Sequence, residues 1–210
     1  RFTITPNRMG FSDWNGEGQY PDGESEDYLI HIRPAPVQHE CDWNEGDPHK
    51  MHYPQLPNLT ETGMDVDMFW TPLADDFKCS ESGHITDIHF WGSFADDCLP
   101  PGGPGSLTFQ VTIYADIPAA DSPTGYSMPR NDPVWGPHTF VPCTYTVRRM
   151  ADGPEDWYDP ATGLFINDNH KQAYQYNICI NQDEAFHQEE GTIYWLEIKD
   201  IVDTPGFEPE

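Results

Sequence analysis

Leu107-Thr108-Phe109-Gln110-Val111-Thr112-Ile113-Tyr114 alternates apolar and polar residues, and its apolar members are rich in β-branched and aromatic side chains. A period of two places every second side chain on one face of a strand, so this stretch reads as a sheet with one buried face. Ile85-Thr86-Asp87-Ile88-His89-Phe90-Trp91 and Thr192-Ile193-Tyr194-Trp195-Leu196-Glu197-Ile198 repeat the pattern. Further strands are expected at 139–148 and 173–181. Pro- and Gly-rich loops separate these runs, and no stretch of ten residues holds a 3.6-residue period. One helical turn at most is expected, over 183–190. The expected fold is all-β, an antiparallel β-sandwich of jelly-roll-like form.

Working outward, the first part of the chain differs from the rest. Arg1 to Thr5 alternates as a short strand and Tyr28 to Arg33 as a second, among loops such as Asn15-Gly16-Glu17-Gly18 and Pro21-Asp22-Gly23. Such residues favour turns and extended segments. The expected organisation is a loop-rich N-terminal extension over 1–64, a sandwich domain over 65–204 and a tail over 205–210.

Charge narrows the function. Thirty-six Asp and Glu oppose ten Lys and Arg across 210 residues, a formal net charge of −26, yet 13% of the chain is aromatic. A disordered acidic tail lacks that apolar material, so a folded domain is expected. Its surface repels a phosphate backbone, which excludes nucleic-acid binding. No apolar run is long enough to insert in a membrane as a helix. Self-repulsion on this scale calls for cations, and calcium prefers the oxygen ligands that Asp and Glu supply. Asp75 and Asp76 are placed before one strand, Asp96 and Asp97 after another, and Asp116 at the end of a third. Strand ends cluster at sandwich rims, so these five are the candidate calcium ligands. Solvated turns are the competing reading of the same aspartates.

Cys41, Cys79, Cys98, Cys143 and Cys179 are scattered, without the paired spacing of a zinc or redox site. Disulfides outside the cytoplasm are the expectation, with Cys79 to Cys98 and Cys143 to Cys179 as the pairs and Cys41 left over. Asn58-Leu59-Thr60 is an N-glycosylation sequon. The chain starts Arg1-Phe2-Thr3-Ile4, which reads as a mature secreted chain. Localisation is therefore expected to be extracellular or at the cell surface.

Four blocks occur in order: Ala74-Asp75-Asp76-Phe77, Ile85 to Gly92 (ITDIHFWG), Phe109 to Pro118 (FQVTIYADIP) and Gly191 to Ile198 (GTIYWLEI). The series resembles a family of uncharacterised secreted bacterial β-domains, often found in proteins carrying a C-terminal sorting or anchoring tail. The resemblance covers roughly residues 54–203. It implies a jelly-roll-like sandwich on or outside the cell surface, and no established activity. This chain departs from it by ending Pro205-Gly206-Phe207-Glu208-Pro209-Glu210.

Catalytic signatures are missing: there is no G-x-S-x-G, no phosphate loop and no EF-hand loop. Paired carboxylates could serve a glycan hydrolase, but with so many acids chance pairs are unavoidable. His49-x-x-His52 and His39 near Cys41 allow a lesser zinc or copper reading, against which Pro48 and Pro54 argue for loop. Trp91 and Trp195 are expected in the core. Trp14, Trp43 and Trp157, in polar loops, are candidates for partner contact or for a carbohydrate-binding platform. The leading expectation is a structural extracellular protein whose copies assemble into a filament or matrix. The strand carrying Phe2 and Ile4 would complete a neighbour's sheet, with calcium between subunits. A carbohydrate-binding module and a glycan hydrolase are the alternatives.

Overall fold

A computed structural model of the chain describes residues 41–68, 72–150 and 152–201, together with the backbone of 2–4 and 24–26. Contacts divide the chain into two compact units, Arg1–Gln38 and His39–Glu210. In the first, β1 (Phe2–Ile4) pairs antiparallel with β2 (Glu24–Glu26). The expected strand over 28–33, like Trp14 and His39, lies outside the described residues.

The second unit is a sandwich. One sheet has the order β4 (Leu73–Lys78), β14 (Ile193–Asp200), β7 (Phe109–Ile117), β8 (Met128–Phe140), and all its neighbours are antiparallel. The facing sheet is β6 (Asp87–Ser93), β12 (Ala173–Cys179), β9 (Tyr145–Arg149), also antiparallel. The alternation of the opening stretch becomes one inner face: Phe109, Val111 and Ile113 are each at most 1% exposed. Phe109 inserts among aromatics of the facing sheet, 5.0 Å from Phe90, 5.0 Å from Tyr176 and 5.3 Å from Tyr145. These edge-to-face contacts add to the area they bury. The phenols leave the core with partners, Tyr145 donating to the Leu107 carbonyl and Tyr176 to that of Pro104.

Two smaller sheets complete the unit. β5 (Gly83–His84) pairs with β13 (His187–Gln188), in the region where one helical turn was expected. β10 (Glu155–Asp159) lies between β11 (Leu164–His170), to which it is antiparallel, and β3 (Met64–Val66), to which it is parallel.

The structure departs from the sequence reading at several points. The expected strand 139–148 is two strands, because Pro142 and the left-handed Cys143 (φ 73°) turn the chain between β8 and β9. β8 holds Pro129, Pro133 and Pro137 and still forms a strand, since it is the sheet edge and its register shifts at bulges. Residues 41–64, read as extension, belong to the same compact unit as the sandwich.

The disulfide pairing is corrected as well. Cys41 is bonded to Cys179, with 5.8 Å between their Cα atoms. Cys143 sits exposed at its turn and Cys98 is exposed after the Ala95–Asp97 turn. Cys79 is buried at the end of β4, where its thiol donates to Oε1 of Gln188 (2.9 Å). Cys79 and Cys98 therefore do not pair, nor do Cys143 and Cys179.

The bridge fastens a strap. After Cys41 the chain crosses the outer, polar face of the β6–β12–β9 sheet. That face satisfies the Asp42 carboxylate and the Trp43 carbonyl but leaves the buried Trp43 Nε1 without a partner among the described residues. Thr146 and Asn177 donate to the Asp42 carboxylate, and Arg148 and Gln175 donate to the Trp43 carbonyl. Trp43 is 8% exposed and packs edge-on to Trp91. Its contacts are thus with this protein's own sheet. Trp91 lies on that outer face, half-buried, while Trp157 is half-buried within β10.

Candidate metal centre

The three strands of the small β11–β10–β3 sheet each bring one ionisable side chain to the same place. Glu155 opens β10 and His170 closes β11, and strand register sets them opposite one another. Asp65, in the middle of β3, is carried alongside by the parallel pairing. Their ligating atoms, one nitrogen and two carboxylate oxygens, all lie within 4.8 Å of one another. His170 Nε2 is 3.3 Å from Asp65 Oδ2 and 3.5 Å from Glu155 Oε2.

Burial makes this arrangement costly as it stands. The His170 side chain has no exposure and that of Glu155 3%, while Asp65 reaches solvent at 32%. Among the described residues, the buried atoms His170 Nε2 and Glu155 Oε2 have no hydrogen-bond partner. Native proteins leave few such atoms, and each calls for an explanation. Nε2 forms no hydrogen bond to either carboxylate, although both stand close to it.

The imidazole is oriented from behind. Asn169 Nδ2 donates to Asp96 Oδ1 (3.1 Å), and the Asp96 backbone N–H donates to Asn169 Oδ1 (3.2 Å), which fixes the amide. The same Asn169 Oδ1 lies 3.3 Å from His170 Nδ1, so Nδ1 carries the proton and donates. In the neutral ring Nε2 then faces the two carboxylates with a lone pair, so three acceptors meet with no hydrogen between them. Ser93 donates its hydroxyl to Asp65 Oδ2. Asp97 Oδ1 accepts the backbone N–H groups of Lys171 and Gln172 and holds the chain beside His170.

Titration follows from this geometry. Burial, with the Asp65 charge adding to it, pushes the Glu155 carboxyl up to about 7, against a smaller opposing effect of His170. Burial on its own pulls the His170 imidazolium down, but Asp65, Glu155 and Asp97 outweigh it and the net shift is upward. Burial also acts upward on Asp97, and its two backbone hydrogen bonds with the nearby His170 and Arg149 charges bring it below the ordinary carboxylate range.

Of the five aspartates expected as calcium ligands, Asp96 and Asp97 lie next to this cluster, as its supports. Asp75 and Asp76 are within β4 rather than before it, and adjacent strand residues point to opposite faces. Asp116 Oδ1 accepts from Trp195 Nε1 (2.9 Å) and from the Ser127 hydroxyl (2.5 Å). Among the described residues Asp75, Asp76 and Asp116 join no grouping of metal-ligating atoms. Asn58 is exposed, its Oδ1 accepting from Thr60 and its Nδ2 donating to Thr62. Asp65, Glu155 and His170 were not singled out in the sequence. They carry no spacing motif, and only the pairing of three strands unites them.

The family model described as a domain of unknown function, DUF7901, matches residues 51–209, and the chain belongs to that family. Neither the curated proteins nor the solved structures contain a match to it.

Proposed function

We propose that this DUF7901 domain is a structural module of an extracellular or surface-exposed assembly, in which copies join through a sheet edge. One observation carries the reading. Among the described residues β11 is an edge strand of its sheet, and Leu164, Phe165 and Ile166 are consecutive along it at 50%, 45% and 37% exposure. Edge strands are normally blunted by charge, proline or a covering element, because their free backbone groups template further pairing. This one presents apolar side chains on both faces. An added strand would gain main-chain hydrogen bonds and cover those side chains.

The extended N-terminal segment of another copy is the proposed occupant. Phe2–Ile4 pairs with Glu24–Glu26 on one side, and its other edge carries no strand among the described residues. The Cys41–Cys179 bridge supports an oxidising compartment. Calcium or another divalent cation would screen the repulsion between copies that each carry a net charge of −26. No enzymatic activity is part of this reading.

Light scattering and negative-stain microscopy of the full chain, with calcium and with a chelator, test it. Wild-type protein is expected to form ordered oligomers or filaments. Phe165→Lys and deletion of Arg1–Thr5 are each expected to leave folded monomers. Dispersed wild-type monomers under both conditions overturn the reading.

A further inference from the structure

We propose that His170 Nε2 and the carboxylates of Asp65 and Glu155 form a binding site for a divalent transition cation of the zinc class, which ties β3, β10 and β11 together at one end of their sheet. The inference goes beyond the assembly reading and stands without it.

Three features carry it. The first is the pair of buried, unpartnered atoms facing one another, His170 Nε2 and Glu155 Oε2. A cation between them satisfies both in one step, together with the Asp65 oxygen. The second is spacing. Ligands about 2.1 Å from a metal at tetrahedral angles stand about 3.4 Å apart. His170 Nε2 lies 3.3 Å and 3.5 Å from the two carboxylate oxygens. The third is the support behind the imidazole. Metal-bound histidines characteristically donate their other ring N–H to an oxygen acceptor, which fixes the tautomer. Here Asn169 Oδ1 is that acceptor and Asp96 holds the amide in place.

The ligand type separates zinc from calcium. Calcium takes six to eight oxygens, whereas a mixed set of imidazole and carboxylate suits zinc and its neighbours. The competing occupant is a proton on Nε2, which would also place positive charge between the carboxylates.

The test uses the full chain stripped with a chelator and titrated at pH 7.5 with zinc, and separately with calcium. Binding is followed by calorimetry and thermal unfolding, and cobalt(II) reports coordination through its visible absorption. The expected result is one zinc per chain in this site and a rise in Tm of roughly 5–10 °C at a hundredfold excess over Kd. Intense tetrahedral cobalt bands are also expected. Glu155→Gln and Asp65→Asn should each weaken zinc at least tenfold and remove those bands. Asp65 is one-third exposed, so its variant remains informative if the buried Glu155 variant fails to fold. No zinc binding in the wild type overturns the proposal, since a proton then suffices. Zinc binding unchanged by either substitution also overturns it, by placing the ion on surface histidines, and so does stabilisation by calcium alone.

Discussion

Cys41 is bonded to Cys179 across 138 residues of chain, and the strap that begins at Cys41 covers the outer face of the strand that ends at Cys179. The bridge closes a loop containing most of the sandwich. In the chain-entropy picture a closed loop of that length restricts the unfolded state by about 5 kcal/mol. Cys179→Ser, or reduction without other change, should therefore lower unfolding stability by several kcal/mol. Urea unfolding of oxidised and reduced protein measures this, and a difference below about 1 kcal/mol would show that the bridge restrains little.

The other three cysteines should separate by reactivity. Cys98 and Cys143 are exposed, whereas Cys79 is 2% exposed and desolvation raises its thiol to about 11. The thiolate is the reacting species, so Cys79 is doubly protected. Alkylation at pH 8 followed by mass spectrometry should label Cys98 and Cys143 within minutes and Cys79 only after unfolding. Rapid labelling of native Cys79 would mean that the end of β4 opens readily.

Much of the sandwich was legible because burial on one face imposes period two. Phe109 and Val111, with Tyr174, Tyr176 and Ile178 opposite, belong to one core cluster, and Ile113 on the same face belongs to a second with Cys79 and Tyr194. The proline-rich β8 was not legible, since local residue preference argues against a strand and only its edge position permits one. The strap was read as a loop in search of a partner, because the polar outer face it covers (Gln175, Asn177) looks solvent-facing in sequence. The candidate metal centre was invisible for a different reason. Asp65 meets Glu155 through a parallel pairing between segments far apart in the chain, and a background of thirty-six acids hides any pair.

Asp200 offers a pH test away from that centre. Burial raises its carboxyl above the ordinary value, with backbone hydrogen bonds opposing the shift more weakly. A raised folded-state value means that the native protein holds this proton more tightly than the unfolded chain. The favourable contribution is present in acid and disappears as pH rises through the folded-state value. At pH 7 the ionised Asp200 is thus a destabilising group, and Asp200→Asn should raise Tm there. The gain should shrink towards pH 3, where both side chains are neutral. A variant no more stable than wild type at pH 7 would contradict the assignment.

Gly63 is the position where the least addition should do the most harm. A Cβ built there would stand 1.9 Å from the Asn58 carbonyl oxygen and 2.8 Å from Glu155 Oε1. The first neighbour is backbone and cannot rotate away, while Glu155 is held between β3 and β11. The Gly63 carbonyl also accepts the Asp156 N–H, so the residue cannot retreat without breaking the entry of β3 into its sheet. Gly63→Ala should therefore cost about 1–3 kcal/mol, the usual range for overpacking. The change should spread from the 58–63 loop to β10, and hydrogen exchange would show faster amides at Asp156 and Tyr158 while β7 and β12 stay protected. Uniform loosening of the whole unit would instead place Gly63 in the main core. An unchanged Tm would mean that the loop yields without strain.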